Sequence, residues 1–302
     1  MNFDLQNVML VSLYGYFEDE RGQNSRHVQI PIDPQLQAEL KLMFMETNRR
    51  LGLPASEADM PIFDPAEKYA SEEKIKIALE TDYLNDLAGV VALRNLPSDV
   101  NALSQISELV YYYAVFVDDQ NRNIYAFKRA SQFKGVVKSK LAWINGELLS
   151  LMTASVFKLD KDFDYLVSDT MVYILRPNGF ESTTSVHGQI LAASTANAQA
   201  IADEIDFLDV SNITTYAQTH ARSARLLAAI RSRNDLAQID RDLLLRACEI
   251  NQVDMLDVGD GKFSPNTGHE YDFLCVLDRR AYTTILIPDQ SERYVAASRT
   301  KR

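Results

Sequence analysis

Hydrophobic and polar positions alternate near the start of the chain. Leu5, Val8 and Leu10 lead into Ser12, Tyr14 and Tyr16, a spacing that predicts a strand. The turn-like EDERGQNS follows, and His27–Ile32 reads as a returning strand. Asp33–Pro34 then supplies a helix start, an N-cap residue with proline at the first helical position. Leu36, Leu40, Met43 and Phe44 keep helical spacing to about Leu51. Residues 53–66 hold three prolines and read as a connector. Ile75, Leu79, Tyr83 and Leu87 fall on one face of a second helix expected over 71–88. The segment LRNLPSDVNALS reads as a loop and as the domain boundary. It separates an acidic α+β part, 1–100, from a second part, 101–302.

Beyond the boundary the pattern turns to strands. Leu109–Val117 and Ile124–Lys128 flank the polar turn DDQNRN as a hairpin. Further strands are expected at 148–157, 165–168 and 171–175, with Pro177–Gly179 ending the sheet. Helical spacing runs from about Ser182 to Asp209, then near 212–232 and 236–251, and strands return at 271–277 and 281–287. Strands, then helices, then strands, without βαβ alternation, predict an α+β fold. Its mixed or antiparallel sheet of hairpins would carry helices on one side.

Composition changes this picture in one respect. The proportions are those of a globular chain, 46% hydrophobic and 24% charged. No apolar run approaches the roughly 20 residues that span a bilayer, and the first residues lack the basic start of a secretory signal. Two cysteines supply neither a disulfide framework nor a cysteine-only zinc site. The chain is therefore expected in the cytoplasm. Its net charge of −11 lies wholly in residues 1–120, with 20 acidic and 9 basic side chains, while the remainder holds 22 of each. A negative total opposes indiscriminate nucleic-acid binding, yet it leaves room for a basic face on the second part.

Catalytic constellations are incomplete. Asp160, Asp162 and Asp164 place carboxylates at every second position. A calcium loop starting at Asp160 would need glycine and glutamate where Tyr165 and Met171 stand, so solvated turn carboxylates are expected. Asp272 with Asp278–Arg279–Arg280 distantly echoes a metal-dependent nuclease, with arginine in the place of the lysine that could act as a base. The four histidines are scattered, without zinc spacing, and there is no phosphate-binding glycine loop or nucleophile elbow. No cofactor, metal site or catalytic residue is assigned.

Basic stretches carry more signal. Residues 120–146 contain Arg122, Lys128, Arg129, Lys134, Lys138 and Lys140 and no acid, interleaved with Tyr125, Phe127, Phe133 and Trp143. That pattern suits backbone neutralisation with base stacking, and equally a lysine-guarded strand edge. Arg222, Arg225, Arg231 and Arg233 form a second group, again without an acid among them. Helix capping accounts for part of that group and an anion-binding face for the rest.

The order YAVFVDDQNRNIYAFKRASQF, followed by SVFKLDKDFDYLVSDTMVYILRPNGFES, resembles the KwaB-like proteins of the Kiwa anti-phage defence system. The resemblance runs from about Leu109 to Glu181. It implies a bacterial defence effector that binds DNA non-enzymatically and impedes phage replication or expression. It also implies a membrane-spanning, KwaA-like partner that holds the protein peripherally at the membrane; the chain itself is expected to form a homodimer or higher oligomer. Two alternatives stay open: a metal-dependent nuclease, and a protein-interaction module without nucleic-acid binding.

Overall fold

The computed structural model describes residues 7–19, 24–70, 73–93, 96–99, 108–130, 142–145, 148–151, 159–287 and 290–296. The chain folds as two compact units, Met1–Phe63 with Ala70–Ser185, and Asp64–Tyr69 with Val186–Arg302. The fold is α+β, as its sequence pattern predicts.

Unit 1 is built on a seven-stranded sheet. Its strands are β1 (Val8–Glu18), β2 (Ser25–Ile30), β3 (Ile75–Ala78), β4 (Leu109–Asp118), β5 (Asn123–Arg129), β8 (Tyr165–Val167) and β9 (Met171–Ile174). They lie in the order β2-β1-β4-β5-β8-β9-β3, each pair antiparallel. A separate hairpin pairs β6 (Ala142–Asn145) with β7 (Leu148–Leu151). Alternation sets the two faces of the large sheet. Val11, Leu13 and Phe17 of β1 share one face with Ala114 and Phe116 of β4 and with Ile124 and Ala126 of β5.

Helix α1 (Pro34–Leu51) covers that face. Its first turn is fixed by the Asp33 side chain, which accepts from the Leu36 amide at 2.7 Å. Gly52 ends the helix in the left-handed region, φ 76°, returning its amide to the Asn48 carbonyl at 2.8 Å. Leu40, Met43, Phe44 and Leu51 are buried in between, and the Phe44 ring stacks on Phe116 with centroids 4.3 Å apart. On the opposite face, Tyr14, Tyr113, Phe127 and Tyr165 are successive register partners across four strands, with ring centroids 5.2, 5.0 and 4.8 Å apart.

The helix expected over 71–88 does not form as one element. Ile75 and Ile77 are buried on alternate positions of β3 and pair with Ile174 and Val172 of β9. A single helical turn, Asp82–Leu84, and α2 (Asn85–Ala92) follow. Sheet pairing overrides the four-residue spacing here because it satisfies both backbone and apolar side chains of a short run. Strands on both sides of the boundary expected at residue 100 share this one sheet, β1 with β4. Of the loop between them, Pro97–Asp99 exchanges backbone hydrogen bonds with Gln29 of β2. After β9, the chain enters α3 (Pro177–Thr183), which packs on β5.

Unit 2 is mainly helical: α4 (Val186–Glu204), α5 (Ser211–Ala217), α6 (Ala221–Arg231), α7 (Arg241–Ile250) and α8 (Glu270–Leu277). Two hairpins join them, β10 (Met255–Gly259) with β11 (Lys262–Pro265), and β12 (Ala281–Ile287) with β13 (Gln290–Val295). The helix expected over 212–232 breaks between α5 and α6, and 271–277, expected as a strand, is α8. A continuous apolar run has no period of its own. Phe273, Leu274, Cys275, Val276 and Leu277 are all buried, which a helix inside a helical core achieves.

Candidate functional site

The sheet face under α1 ends in charge. In β5, Ile124, Ala126 and Lys128 share one parity, so Lys128 points to the covered side and is buried. Its ammonium lies 2.8 Å from Asp164, 3.3 Å from Asp160 and 3.8 Å from Asp162. Asp162 is fully buried. Arg50, from the last turn of α1, pairs with it, and Arg176 donates to its two oxygens at 2.7 and 2.8 Å. Three cations therefore face three carboxylates. The run read as solvated turn carboxylates is corrected: Asp162 and Asp164 are interior, and only their cation partners make that burial affordable.

Backbone geometry holds the cluster rigid. The Asp164 amide donates to the Phe127 carbonyl, and the Asp164 carbonyl receives the amides of Leu175 and Arg176. The Asp164 carboxylate also accepts from the Arg129 amide at 2.9 Å. Its position depends on Gly179 of α3. A Cβ there would stand 2.4 Å from the Asp164 carboxyl, so only glycine lets the helix approach. From the other side, buried Thr47 of α1 accepts from the Phe163 amide at 2.8 Å and donates to the Met43 carbonyl at 2.7 Å. Burial, with the Asp160 and Asp164 carboxylates nearby, pushes the neighbouring Tyr112 phenol far above its ordinary range.

An open cavity of about 500 Å³ adjoins the cluster. Lys128, Arg129, Asp160 and Asp164 line it, together with Asn178 and Ser182 of α3. Leu109 and Val110, at the start of β4, supply apolar wall.

The candidate DNA-binding residues are distributed unevenly over this structure. Lys128 is interior, whereas Arg129, the next residue, is exposed. Lys134, Lys138 and Lys140 lie outside the described residues. In unit 2, Arg222 is exposed and sits 4.8 Å over the Tyr271 ring. Arg225 donates to the carbonyl of Glu67 at 2.5 Å, and Arg231 donates to the Asn197 side chain at 3.0 Å. Arg233 binds Asp235 at 2.7 Å and the Leu277 carbonyl at 2.5 Å. Asp272 is exposed on α8, and Asp278 follows that helix paired with Arg280 at 2.5 Å, so the expected terminal strand pair does not carry them. Among the described residues no group of histidine, cysteine and carboxylate side chains has the arrangement of a metal site, and no helix is long and apolar enough to cross a membrane.

A family model described as Kiwa protein KwaB-like matches residues 107–286. The chain belongs to this KwaB-like family. That makes it a component of Kiwa anti-phage defence, a system with further Kiwa components. No curated protein and no solved structure matches the chain. The KwaB-like segment contains Lys128, all three aspartates, Arg176 and Gly179; Arg50 and Thr47 reach the cluster from α1, outside it. Arg50, Arg176 and Gly179 carry no motif that singles them out in the sequence. One signal was present: a lone lysine at an inward strand position, after Ile124 and Ala126, requires buried carboxylate partners.

Proposed function

We propose that this KwaB-like protein is a defence effector that binds DNA without cleaving it, through the second part of the chain, and so impedes phage replication or expression. The observation that carries this reading is the acid-free basic stretch of residues 120–146, which contains Arg129, exposed at the end of β5, and continues through Lys134, Lys138 and Lys140. Cations placed along a phosphate backbone gain affinity by releasing condensed counterions. Arg222 and Arg231, exposed on α6, are the second candidate contacts. Lys128, Arg225 and Arg233 are bound within the fold, so their contribution is to the local field; Arg231 donates to Asn197 and lies 3.8 Å from Glu67 but keeps an exposed position. The family supports a membrane-spanning, KwaA-like partner, which would bring the protein to the membrane peripherally. The acidic residues 1–100 then serve that partner or a second copy of the chain, away from phosphate.

The test is a mobility shift of purified protein on duplex DNA at several salt concentrations, with and without Mg²⁺ or Mn²⁺. The expected result is binding with a steep negative salt dependence and intact DNA. Absence of a shift at low salt overturns the reading. Metal-dependent cleavage that disappears on Asp164→Ala or Asp272→Ala replaces it with a nuclease.

A further inference from the structure

The cavity beside the ion cluster is chemically specific. Its volume of about 500 Å³ suits one small ligand and excludes a duplex. Lys128 and Asp164, which line the cavity, are paired with each other at 2.8 Å. Around them stand Arg129, exposed Asn178 and Ser182, and Asp160, whose side chain is 28% exposed. Arg50, Lys128 and Arg176 balance the three aspartates, so among the described residues Arg129 is a further cation lining this end of the sheet. A matching ligand carries one anionic group for Arg129, N–H donors for the Asp160 carboxylate, and a flat apolar face for the wall at Leu109 and Val110. A nucleotide unit has all three: a phosphate, the amino or ring N–H groups of a base, and the base plane. In a duplex those base groups are paired and stacked, so only an unpaired nucleotide can enter.

We infer that the cavity seats one unpaired nucleotide of a bound DNA strand, base against Asp160 and phosphate on Arg129. This assignment rests on the DNA-binding reading above and adds to it a preference for strand ends and single-stranded segments.

Fluorescence anisotropy of the full chain on a blunt hairpin duplex, and on the same hairpin with a short single-stranded overhang, tests it. The overhang substrate is expected to bind on the order of tenfold more tightly, the worth of one stacked and anchored base. Ser182→Phe, at an exposed lining position of α3 that itself makes no ion pair, narrows the cavity and is expected to abolish that preference while blunt-duplex binding persists. Equal affinity of the unaltered protein for both DNAs overturns the inference and leaves DNA binding standing. Failure to bind either DNA overturns both. Deoxynucleoside monophosphates are expected to compete weakly with the overhang. If they bind while the overhang confers no advantage, the site takes a free nucleotide and the strand assignment is wrong.

Discussion

Lys128 of β5 and Asp164, the residue before β8, meet at 2.8 Å, both side chains only 6% exposed. A lysine inside a basic, acid-free stretch thus spends its charge within the fold. Removing one partner of such a pair strands the other in a medium that solvates it poorly. Lys128→Met is therefore expected to destabilise the protein by about 3–5 kcal/mol, read as a shift in the urea midpoint. Loss of less than about 1 kcal/mol would mean that the cluster is open to water.

Gly179 and Gly188 give a contrast within neighbouring helices. Gly179→Ala drives a methyl group into the Asp164 carboxyl, 2.4 Å away, and is expected to cost about 1–3 kcal/mol. Gly188→Ala, on α4, meets nothing within 4 Å and is expected to stabilise by about 0.4–1 kcal/mol. Thermal melts of the two variants should move in opposite directions.

Thr47 links α1 to the segment before β8 that carries the aspartates. Thr47→Val keeps the shape and deletes the acceptor for the buried Phe163 amide. The expected loss is about 1–3 kcal/mol, with Thr47→Ser retaining most of the stability, both measured by urea denaturation.

His27 of β2 packs among tyrosines, 4.8 Å from the Tyr16 ring and 6.1 Å from Tyr111. Burial lowers its pKa below the ordinary 6.5. The unfolded chain therefore binds the proton more readily than the folded one. Stability from this group is complete above about pH 6.5 and is lost as pH falls through the lower folded value. His27→Phe should remove that component, making the melting temperature less steep in pH below neutrality. An unchanged slope would place the imidazole in water.

The basic stretch makes a prediction independent of the ion cluster. Lys134→Glu with Lys138→Glu should weaken binding to all DNA sequences alike and flatten the salt dependence by roughly one unit per lost phosphate contact. The same variant should lose phage protection while keeping its melting temperature. Binding as tight as the parent's at every salt concentration would reduce these lysines to a solvated strand edge.

Local chemistry by itself determined much of this protein. Asp33–Pro34 and the glycine at 52 delimit α1 because capping needs only neighbouring residues. Alternation and polar turns likewise place β1, β2, β4 and β5, and the segment now matched to the KwaB-like family was recognisable from its order of residues. Tertiary structure decided what those elements could not encode alone. Ile75–Ala78 is a strand because β9 offers it an edge, and 270–277 is a helix because a helical core receives its whole apolar run. The fate of charge was decided in the same way. Asp162 meets Arg50 across 112 residues of chain, and Lys128 meets Asp164 across 36. Whether a carboxylate is solvated or buried depends on the free energy of its partners, and those partners are brought within reach only when α1, β5 and α3 converge on one end of the sheet.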